Sequence, residues 1–360
     1  MKKTFKLNKW VAMAGLAFIA LGMTAVNHEA RASEVTWKMA TPWGGGPWLE
    51  RDAKGFAKNV AQLTDGRIKI DVYPGGTLSN PLKVTDAVRH GVVEIGHNWM
   101  AYDWGRDRTT ALFSGYAGSP TPEGYLMWIY DRDGLALWQK FRDEKFGVVS
   151  FPCAIIGTEI FLHSNKKVEN IEDFKGLKLR TSGAWAEIAE ELGASTIVVP
   201  GAEVYTALDR GVIDATEWGS PEINEPTGFI DIAKYIVVPG MHQPGGVLEC
   251  EINKKVWEGL SQQDKDAIAT AAKLSMYESW SASANADLRV FKEMSESGKN
   301  EVVHLSPEFM SAVAAATRSW EDKQAEKDDG WFKRVLESLR SFENELVVWP
   351  EYRFPIGKKY

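Results

Sequence analysis

Between Leu177 and Trp218 the chain reads LKLRTSGAWAEIAEELGASTIVVPGAEVYTALDRGVIDATEW. Apolar, strand-like segments alternate here with segments of helical periodicity, an order that predicts a mainly parallel sheet with helices packed on its faces. A lone arginine, Arg180, ends the first strand-like segment, and Glu217 with Trp218 ends the last. Because ligands of such sheets bind beyond the carboxyl ends of the strands, these three side chains are candidate pocket residues.

A shorter segment, DAVRHGVVEIGHNW from Asp86 to Trp99, repeats the last part of this pattern. When the two segments are aligned, four residues of the first match four of the second: Ala87, Gly91, Val92 and Glu94 match Ala207, Gly211, Val212 and Asp214. The position of Glu217 and Trp218 is taken by His97, Asn98 and Trp99, which Tyr102 follows. We therefore predict two related α/β lobes, each delivering polar and aromatic side chains from a strand end. Two such lobes facing a cleft are typical of a ligand-binding protein.

The rest of the chain fits the same α/β class. Residues 35–40 predict a first strand, and apolar positions between 49 and 63 have the spacing of an amphipathic helix. The C-terminal third is helical by pattern, and Ser261 is a suitable N-cap for a long helix. We predict two lobes that are joined by extended segments and covered by long C-terminal helices.

Residues 1–32 predict an export signal. Four lysines precede an apolar run from Val11 to Met23, and the sequence ARA at 30–32 matches an A-x-A cleavage site. We expect a soluble mature chain that begins at Ser33 and lies in the periplasm. Removing five of the 42 basic residues and one of the 49 acidic residues gives a net charge of −11. This acidity argues against nucleic acid or an anionic membrane surface as a partner.

The chain has two cysteines, Cys153 and Cys250. In an oxidising compartment they can pair as a disulfide. Both also lie in apolar, strand-like text, where a free cysteine behaves as a small buried hydrophobe. The sequence leaves both interpretations open.

Each candidate site residue has a structural alternative. Arg180 pairs either with a ligand carboxylate, which suits the planar guanidinium, or with an acidic side chain of its own lobe. Glu217 offers a carboxylate to a hard cation, or it is an ordinary exposed residue at a strand end. A single histidine such as His97 is more often a satisfied structural residue than a ligand.

Enzymatic motifs are absent from the sequence. It contains no G-x-S-x-G elbow, P-loop or H-E-x-x-H, and its six histidines lack the spacing of a zinc site. An alternative function is that of a secreted glycoside hydrolase, in which Glu159 and Glu217 would be the pair of catalytic carboxylates. A chain with 49 acidic residues offers such pairs by chance, so we predict a binding protein rather than an enzyme.

Several longer phrases of the chain carry a family resemblance. They are AKNVAQLTDGRIKIDVYPGGTL, DAVRHGVVEIG, VENIEDFKGLKLRTSG and LGASTIVVPGAEVYTALDRGVIDATEW. Over nearly its whole mature length the chain resembles the extracytoplasmic solute-binding protein (DctP family) of tripartite ATP-independent periplasmic (TRAP) transporters. The EW at 217–218, followed by GSPEINEPTGF, is similar to the branch that binds α-keto and α-hydroxy carboxylates. An ABC-type or sensory periplasmic binding protein of the same shape is the alternative.

The resemblance implies two α/β domains that close over the ligand by hinge motion and perform no chemistry on it. We place the first domain at 33–157 with about 246–285, and the second at 158–245 with about 286–360. The expected partners are the small and large membrane subunits of a TRAP transporter. Some members of this branch dimerise through C-terminal helices, and the residues after Trp331 are apolar enough to allow a homodimer.

The resemblance also assigns site residues. It implies that Arg180 pairs with the ligand carboxylate, and that Glu217 and Trp218 help to hold a cation, Ca²⁺ or Na⁺, that bridges to the ligand. The branch often has Gln and Glu at the two remaining cation positions. Here these positions hold Glu159 and Gln243, so the carboxylate and the amide are exchanged but both remain. The flexible oxygen coordination of Ca²⁺ tolerates such an exchange.

The expected pocket wall is aromatic. It comprises Trp43, Trp48, Trp99, Tyr102 and Trp185, with Asn98 as a hydrogen-bond partner for a keto or hydroxyl oxygen. Such a wall favours a 2-oxo or 2-hydroxy monocarboxylate with an apolar or aromatic tail over a small dicarboxylate.

Overall fold

The computed structural model describes residues 1, 34–199, 201–327, 330–349 and 351. Apart from Met1, the predicted export signal lies outside these residues, as does Ser33. Within the described part of the chain, no helix combines the length and the apolar character needed to cross a membrane.

The secondary structure alternates as the sequence predicts. In the described residues the strands are β1 (Val35–Ala40), β2 (Ile68–Tyr73), β3 (Ile95–Asn98), β4 (Val148–Ile156), β5 (Leu162–Ser164), β6 (Lys178–Arg180), β7 (Ser195–Ile197), β8 (Ala215–Thr216), β9 (Tyr235–Val238), β10 (Gly246–Asn253) and β11 (Glu301–His304). The α-helices are α1 (Lys54–Leu63), α2 (Val84–Arg89), α3 (Thr110–Ser114), α4 (Pro122–Asp131), α5 (Gly134–Phe141), α6 (Ile171–Phe174), α7 (Gly183–Glu191), α8 (Gly201–Asp209), α9 (Pro221–Asn224), α10 (Phe229–Ile232), α11 (Lys254–Glu258), α12 (Gln262–Glu296), α13 (Pro307–Ala325) and α14 (Trp331–Leu346). A π-helical turn, Trp48–Ala53, leads into α1, and a 3-10 turn, Met100–Asp103, follows β3.

The strands form two sheets, one in each lobe. Their orders are β2-β1-β3-β10-β4 and β11-β9-β5-β8-β6-β7. In each sheet a single strand runs against the others, β10 in the first and β5 in the second. The chain enters each of these two strands directly after a segment that crosses from the other lobe, whereas β11, which it enters after α12, runs parallel to its neighbour β9. The predicted two-lobed α/β fold with mainly parallel sheets is confirmed.

The long C-terminal helices bridge the lobes. The 35-residue α12 begins at the predicted N-cap, Ser261, whose hydroxyl accepts a hydrogen bond from the backbone of Asp264. It packs on β4 and α1 of the first lobe and on α9 of the second. The domain limits stay a prediction. Helix α14, which we assigned to the second domain, packs against α13 of that domain and also against α3, α4 and α5 of the first.

The internal repeat corresponds to a shared geometry. Gly91 and Gly211 both have a positive φ after a helix, and the next residues, Val92 and Val212, bond back to Ala87 and Ala207. This is the hydrogen bond of a Schellman C-cap, which glycine permits at no steric cost. The aligned carboxylates also act alike. Glu94 accepts from the backbone N–H of Lys38 in β1, and Asp214 accepts from that of Lys178 in β6.

Cys153 and Cys250 form a disulfide. Their Cα atoms lie 5.8 Å apart on the adjacent antiparallel strands β4 and β10. The structure therefore selects the first of the two interpretations that the sequence left open.

A buried ionic network lies between the first sheet and α5. The guanidinium of Arg142 donates to Asp103, Glu249 and Glu251 at 2.7–2.8 Å, and Ser150 donates to Glu249. Three carboxylates thus share one guanidinium. Burial raises the pKa of Glu249 to about 7 and holds that of Glu251 well above its usual value, because an anion is poorly solvated there and the neighbouring carboxylates repel it.

We expect Glu249→Gln to gain stability relative to the wild type as the pH rises from 5 to 7. In this range the folded wild type holds a proton on Glu249 that the unfolded chain releases, so its free energy of unfolding falls as the pH rises. The variant lacks this proton, and the difference amounts to about 1 kcal/mol per pH unit. Urea unfolding at both pH values measures it, with the exposed Glu258→Gln as control. A pH-independent difference would contradict the raised pKa.

Candidate functional site

A cavity of about 160 Å³ lies between the two lobes. The first lobe contributes Trp43, Trp48, Trp99, Tyr102 and Ile156 to its lining, and the second lobe with the segments that join the lobes contributes Glu159, Arg180, Ser182, Trp185, Glu217, Trp218, His242 and Gln243. The predicted site residues meet here, except for Asn98 and for His97, to which we preferred to give a structural role. Ile156, Ser182 and His242 were not among the predicted residues.

The first lobe forms an aromatic wall. The rings of Trp43 and Trp48 lie 4.8 Å apart, and Trp99 meets Tyr102 edge to face at 5.3 Å. The Trp43 indole N–H donates to Nδ1 of His97 at 2.8 Å, and that of Trp99 donates to the carbonyl of Ser114 at 3.0 Å. Because both N–H groups are bound to protein groups, these two indoles offer the cavity apolar ring surface rather than hydrogen-bond donors.

His97 supports this wall and does not line the cavity. It is fully buried, and burial lowers its pKa to about 3, so the ring is neutral at physiological pH. Since Nδ1 accepts from Trp43, the single proton of the neutral ring lies on Nε2. The structural interpretation that we preferred for this histidine is the one that the structure supports.

Asn98 points away from the cavity, contrary to our expectation. Its side-chain amide donates to the hydroxyl of Thr85, a member of the buried network around Arg142. Successive residues of a strand face opposite sides of the sheet. With His97 directed to the cavity side, Asn98 on β3 is directed to the other side.

Arg180 lies at the end of β6 and reaches the cavity. Its Nη1 is 3.6 Å from a carboxylate oxygen of Glu217, its Nε donates to the carbonyl of Val199 at 3.3 Å, and its guanidinium lies over the Trp218 ring at 5.1 Å. An ion pair within the lobe, one of the two alternatives for Arg180, is therefore present. Its length leaves hydrogen-bond donors of the guanidinium available to a carboxylate in the cavity.

Glu159 is held by two neighbours. His242 Nε2 lies 2.8 Å from one of its carboxylate oxygens, and the Gln243 side-chain amide donates to the other at 3.0 Å. Burial raises the pKa of Glu159, and the hydrogen bond from His242 opposes that rise. Gln243 was a predicted site residue. Its neighbour His242 was not predicted, because no periodic sequence pattern around it distinguishes it.

The donor set suits a cation. Glu159, Glu217 and His242 each have one potential ligand atom, and these three atoms lie within 4.8 Å of one another. Gln243 donates to Glu159 through its amide nitrogen, so its amide oxygen is not used in that hydrogen bond. Carboxylate and amide oxygens are the ligands of Ca²⁺ and similar hard cations. A second group of such atoms, His97 with Cys153 and Cys250, has both sulfurs in the disulfide.

Residues 39–328 match the DctP family model, described as bacterial extracellular solute-binding protein, family 7. The chain belongs to this family. DctP proteins of the kind found among its relatives are periplasmic solute-binding proteins of TRAP transporters. The predicted family is therefore confirmed.

Individual relatives agree in size and fold. The chain is 31% identical over 344 residues to a monocarboxylate 2-oxoacid-binding periplasmic protein of Nostoc sp. (strain PCC 7120), covering 94% of this chain and 93% of that protein. A TRAP solute-binding protein from Pseudoalteromonas atlantica, with bound sodium and pyruvate, superposes with a TM-score of 0.82 at 28% identity, covering 89% and 97%. One from Bordetella bronchiseptica, a dimer with calcium and picolinate, gives 0.81 at 26%, covering 89% and 95%.

A larger open groove, of about 620 Å³, runs along α12. Its lining includes Trp280, Asp287 and Leu288 and none of the predicted site residues. We locate the candidate DctP site in the smaller cavity, because that cavity combines a guanidinium, two carboxylates and the aromatic wall.

We expect His97→Leu to destabilise the protein by about 1–3 kcal/mol at pH 7, because the buried Trp43 N–H loses its acceptor. The loss shrinks by up to about 2 kcal/mol at pH 5. There the unfolded wild type takes up a proton at the usual histidine pKa of 6.5, whereas the folded wild type does so only near 3. Urea unfolding at both pH values measures this, with His304→Leu as control. An equal loss at both values would show that His97 is not held neutral.

Proposed function

We propose that this DctP protein captures a 2-oxo or 2-hydroxy monocarboxylate in the periplasm and delivers it to the small and large membrane subunits of a TRAP transporter, without chemistry on the ligand. The observation that carries the proposal is the cavity between the lobes, with one guanidinium, two carboxylates and an aromatic wall. The 2-oxoacid-binding relative and the pyruvate-bound structure support the ligand class.

Arg180 takes the ligand carboxylate. Its pairing with Glu217 is long, 3.6 Å, and monodentate. A ligand carboxylate offers the guanidinium two oxygens in the geometry that it fits best. The exchange of a long ion pair for a short bidentate one favours the bound state.

Glu159, Glu217 and Gln243, with the backbone carbonyl of Trp218, hold a Ca²⁺ or Na⁺ ion. The charges in the cavity support this. Two carboxylates and one guanidinium leave one negative charge, and a monocarboxylate ligand adds a second. Burying two uncompensated negative charges is costly, and a divalent cation balances them. When bound, the cation supplies an electrostatic bridge to the ligand oxygens.

The aromatic wall receives the rest of the ligand. A volume of about 160 Å³ is below the roughly 300–1,000 Å³ of pockets for drug-sized molecules, so the tail is compact. Trp43, Trp99 and Tyr102 offer it apolar ring surface. A second carboxylate placed against this wall would meet no cationic side chain there.

A homodimer stays a prediction for this chain. The relative from Bordetella bronchiseptica is a dimer. Here Tyr277 and Leu288 on α12 are large apolar residues with more than half of their surface exposed, and they are candidates for a contact with a second copy.

We expect Arg180→Lys to weaken binding of a 2-oxo monocarboxylate by about 100-fold, because an ammonium group cannot form the bidentate pair. Isothermal titration calorimetry in the presence of calcium measures the change. The control is Arg132→Lys, at an exposed ion pair with Glu345, neither of which lines the cavity. Unchanged affinity in Arg180→Lys would remove the ligand role of this arginine.

We expect pyruvate or phenylpyruvate with calcium to raise the melting temperature, and EDTA to abolish this rise. Ligand binding to the folded state stabilises it by about 2.7 kcal/mol at 100 times the dissociation constant. 2-Oxoglutarate, with its second carboxylate, gives a smaller rise at the same concentration. A thermal-shift panel measures all three. A larger rise with the dicarboxylate would contradict the proposed ligand class.

A further inference from the structure

Besides α12, two segments of the chain cross between the lobes, and they touch each other beside the cavity. Residues 157–161 lead from β4 to β5, and residues 239–245 lead from β9 to β10. The backbone N–H of Glu159 donates to the carbonyl of Gln243 at 3.2 Å, and the Thr158 hydroxyl donates to the carbonyl of Pro244 at 2.7 Å. A side chain at Gly240 would overlap the Glu159 carbonyl, so the backbones are in close contact.

The side chain of His242 joins the same two segments. Its Nε2 lies 2.8 Å from Glu159, while its Nδ1 is buried and has no hydrogen-bond partner among the described residues. A carboxylate only accepts hydrogen bonds, so the hydrogen of this bond belongs to Nε2. The ring is fixed by Phe161 and Trp185, whose ring centres lie 5.6 and 5.9 Å away. The polar contact that the imidazole makes with the described residues is therefore its hydrogen bond to Glu159.

We propose that His242 is a positioning residue. It holds the Glu159 carboxylate in place for the cation, and it does so across the two segments about which the lobes would move. The inference rests on the proposed function, since it concerns the cation of that site. His242 itself is not a cation ligand in this arrangement, because its Nε2 donates to Glu159 and its Nδ1 points elsewhere.

The physical reason lies in preorganisation. A glutamate side chain that is free to rotate must be ordered when a cation binds, whereas a carboxylate held at both oxygens is already ordered. Partners that orient metal ligands in this way typically contribute 10–100-fold to metal affinity. Because Glu159 and His242 belong to different crossing segments, the same hydrogen bond also restrains their relative motion.

Two variants separate holding Glu159 from filling space. His242→Phe keeps an aromatic ring against Phe161 and Trp185 but has no donor. His242→Gln gives up the ring but carries an N–H at a similar reach. We expect His242→Phe to weaken calcium binding 10–100-fold, and His242→Gln to stay within about threefold of the wild type. If ring packing were what mattered, the order of the two variants would be reversed, and that order would overturn the proposal.

Calcium affinity is measured by calorimetry on EDTA-treated protein. The control is His90→Gln, at an exposed position after α2 that lines neither the cavity nor the pocket beside the crossing segments. A second measurement needs no cation. In EDTA, amide hydrogen exchange of residues 157–161 and 239–245 should be faster in His242→Phe than in the wild type and restored in His242→Gln. Exchange and calcium affinity that are unchanged in both variants overturn the proposal and leave the proposed function intact. A wild type that binds no cation overturns both.

Discussion

The arrangement of the lobes and the cavity depends on the two crossings of the chain beside the cavity, which the contact of Glu159 with His242 and Gln243 joins to each other. The chain passes between the lobes twice in this region, and each passage is followed by the one antiparallel strand of the sheet that it enters. Strand β5 thereby comes to lie between β8 and β9. The residues that follow β8, Glu217 and Trp218, are then brought beside the crossing segments. The polar half of the cavity is thus a consequence of the topology.

Local sequence patterns predicted most of the fold because the signals are short in range. Helical spacing and strand runs predicted β1, the helix that contains α1 and the alternating elements between Leu177 and Trp218, and the glycines at 91 and 211 end equivalent helices in the same way. The last strand-like segment, which we expected to end with Glu217 and Trp218, is shorter in the structure, where only Ala215–Thr216 pair. Glu217 and Trp218 are therefore free of the sheet and lie past its carboxyl edge, where a ligand-binding residue of a parallel sheet is expected.

Other features could not be read from the sequence because they depend on long-range contacts or on a single register. The side of the sheet to which Asn98 points depends on the register of β3, because a shift of this strand by one residue would turn every side chain to the opposite side. Helix α14 buries one side on the first lobe, but nothing in its own pattern says which lobe that is. His242 lies in a segment without periodicity, and its partner, Glu159, is 83 residues away.

The two lobes differ in what they bring to a ligand. The wall from the first lobe is largely neutral. The indole N–H groups of Trp43 and Trp99 are hydrogen-bonded to His97 and to the Ser114 carbonyl, which hold the two rings in place. The charges in the cavity belong to the second lobe and the crossing segments. A ligand with one charged end and one apolar end therefore has a single favourable orientation between them. Closing the lobes removes water from both ends at once, so the ion pairs strengthen in the step that buries the apolar tail. Neither lobe alone offers both interactions, and we infer that closure and binding are for this reason one event.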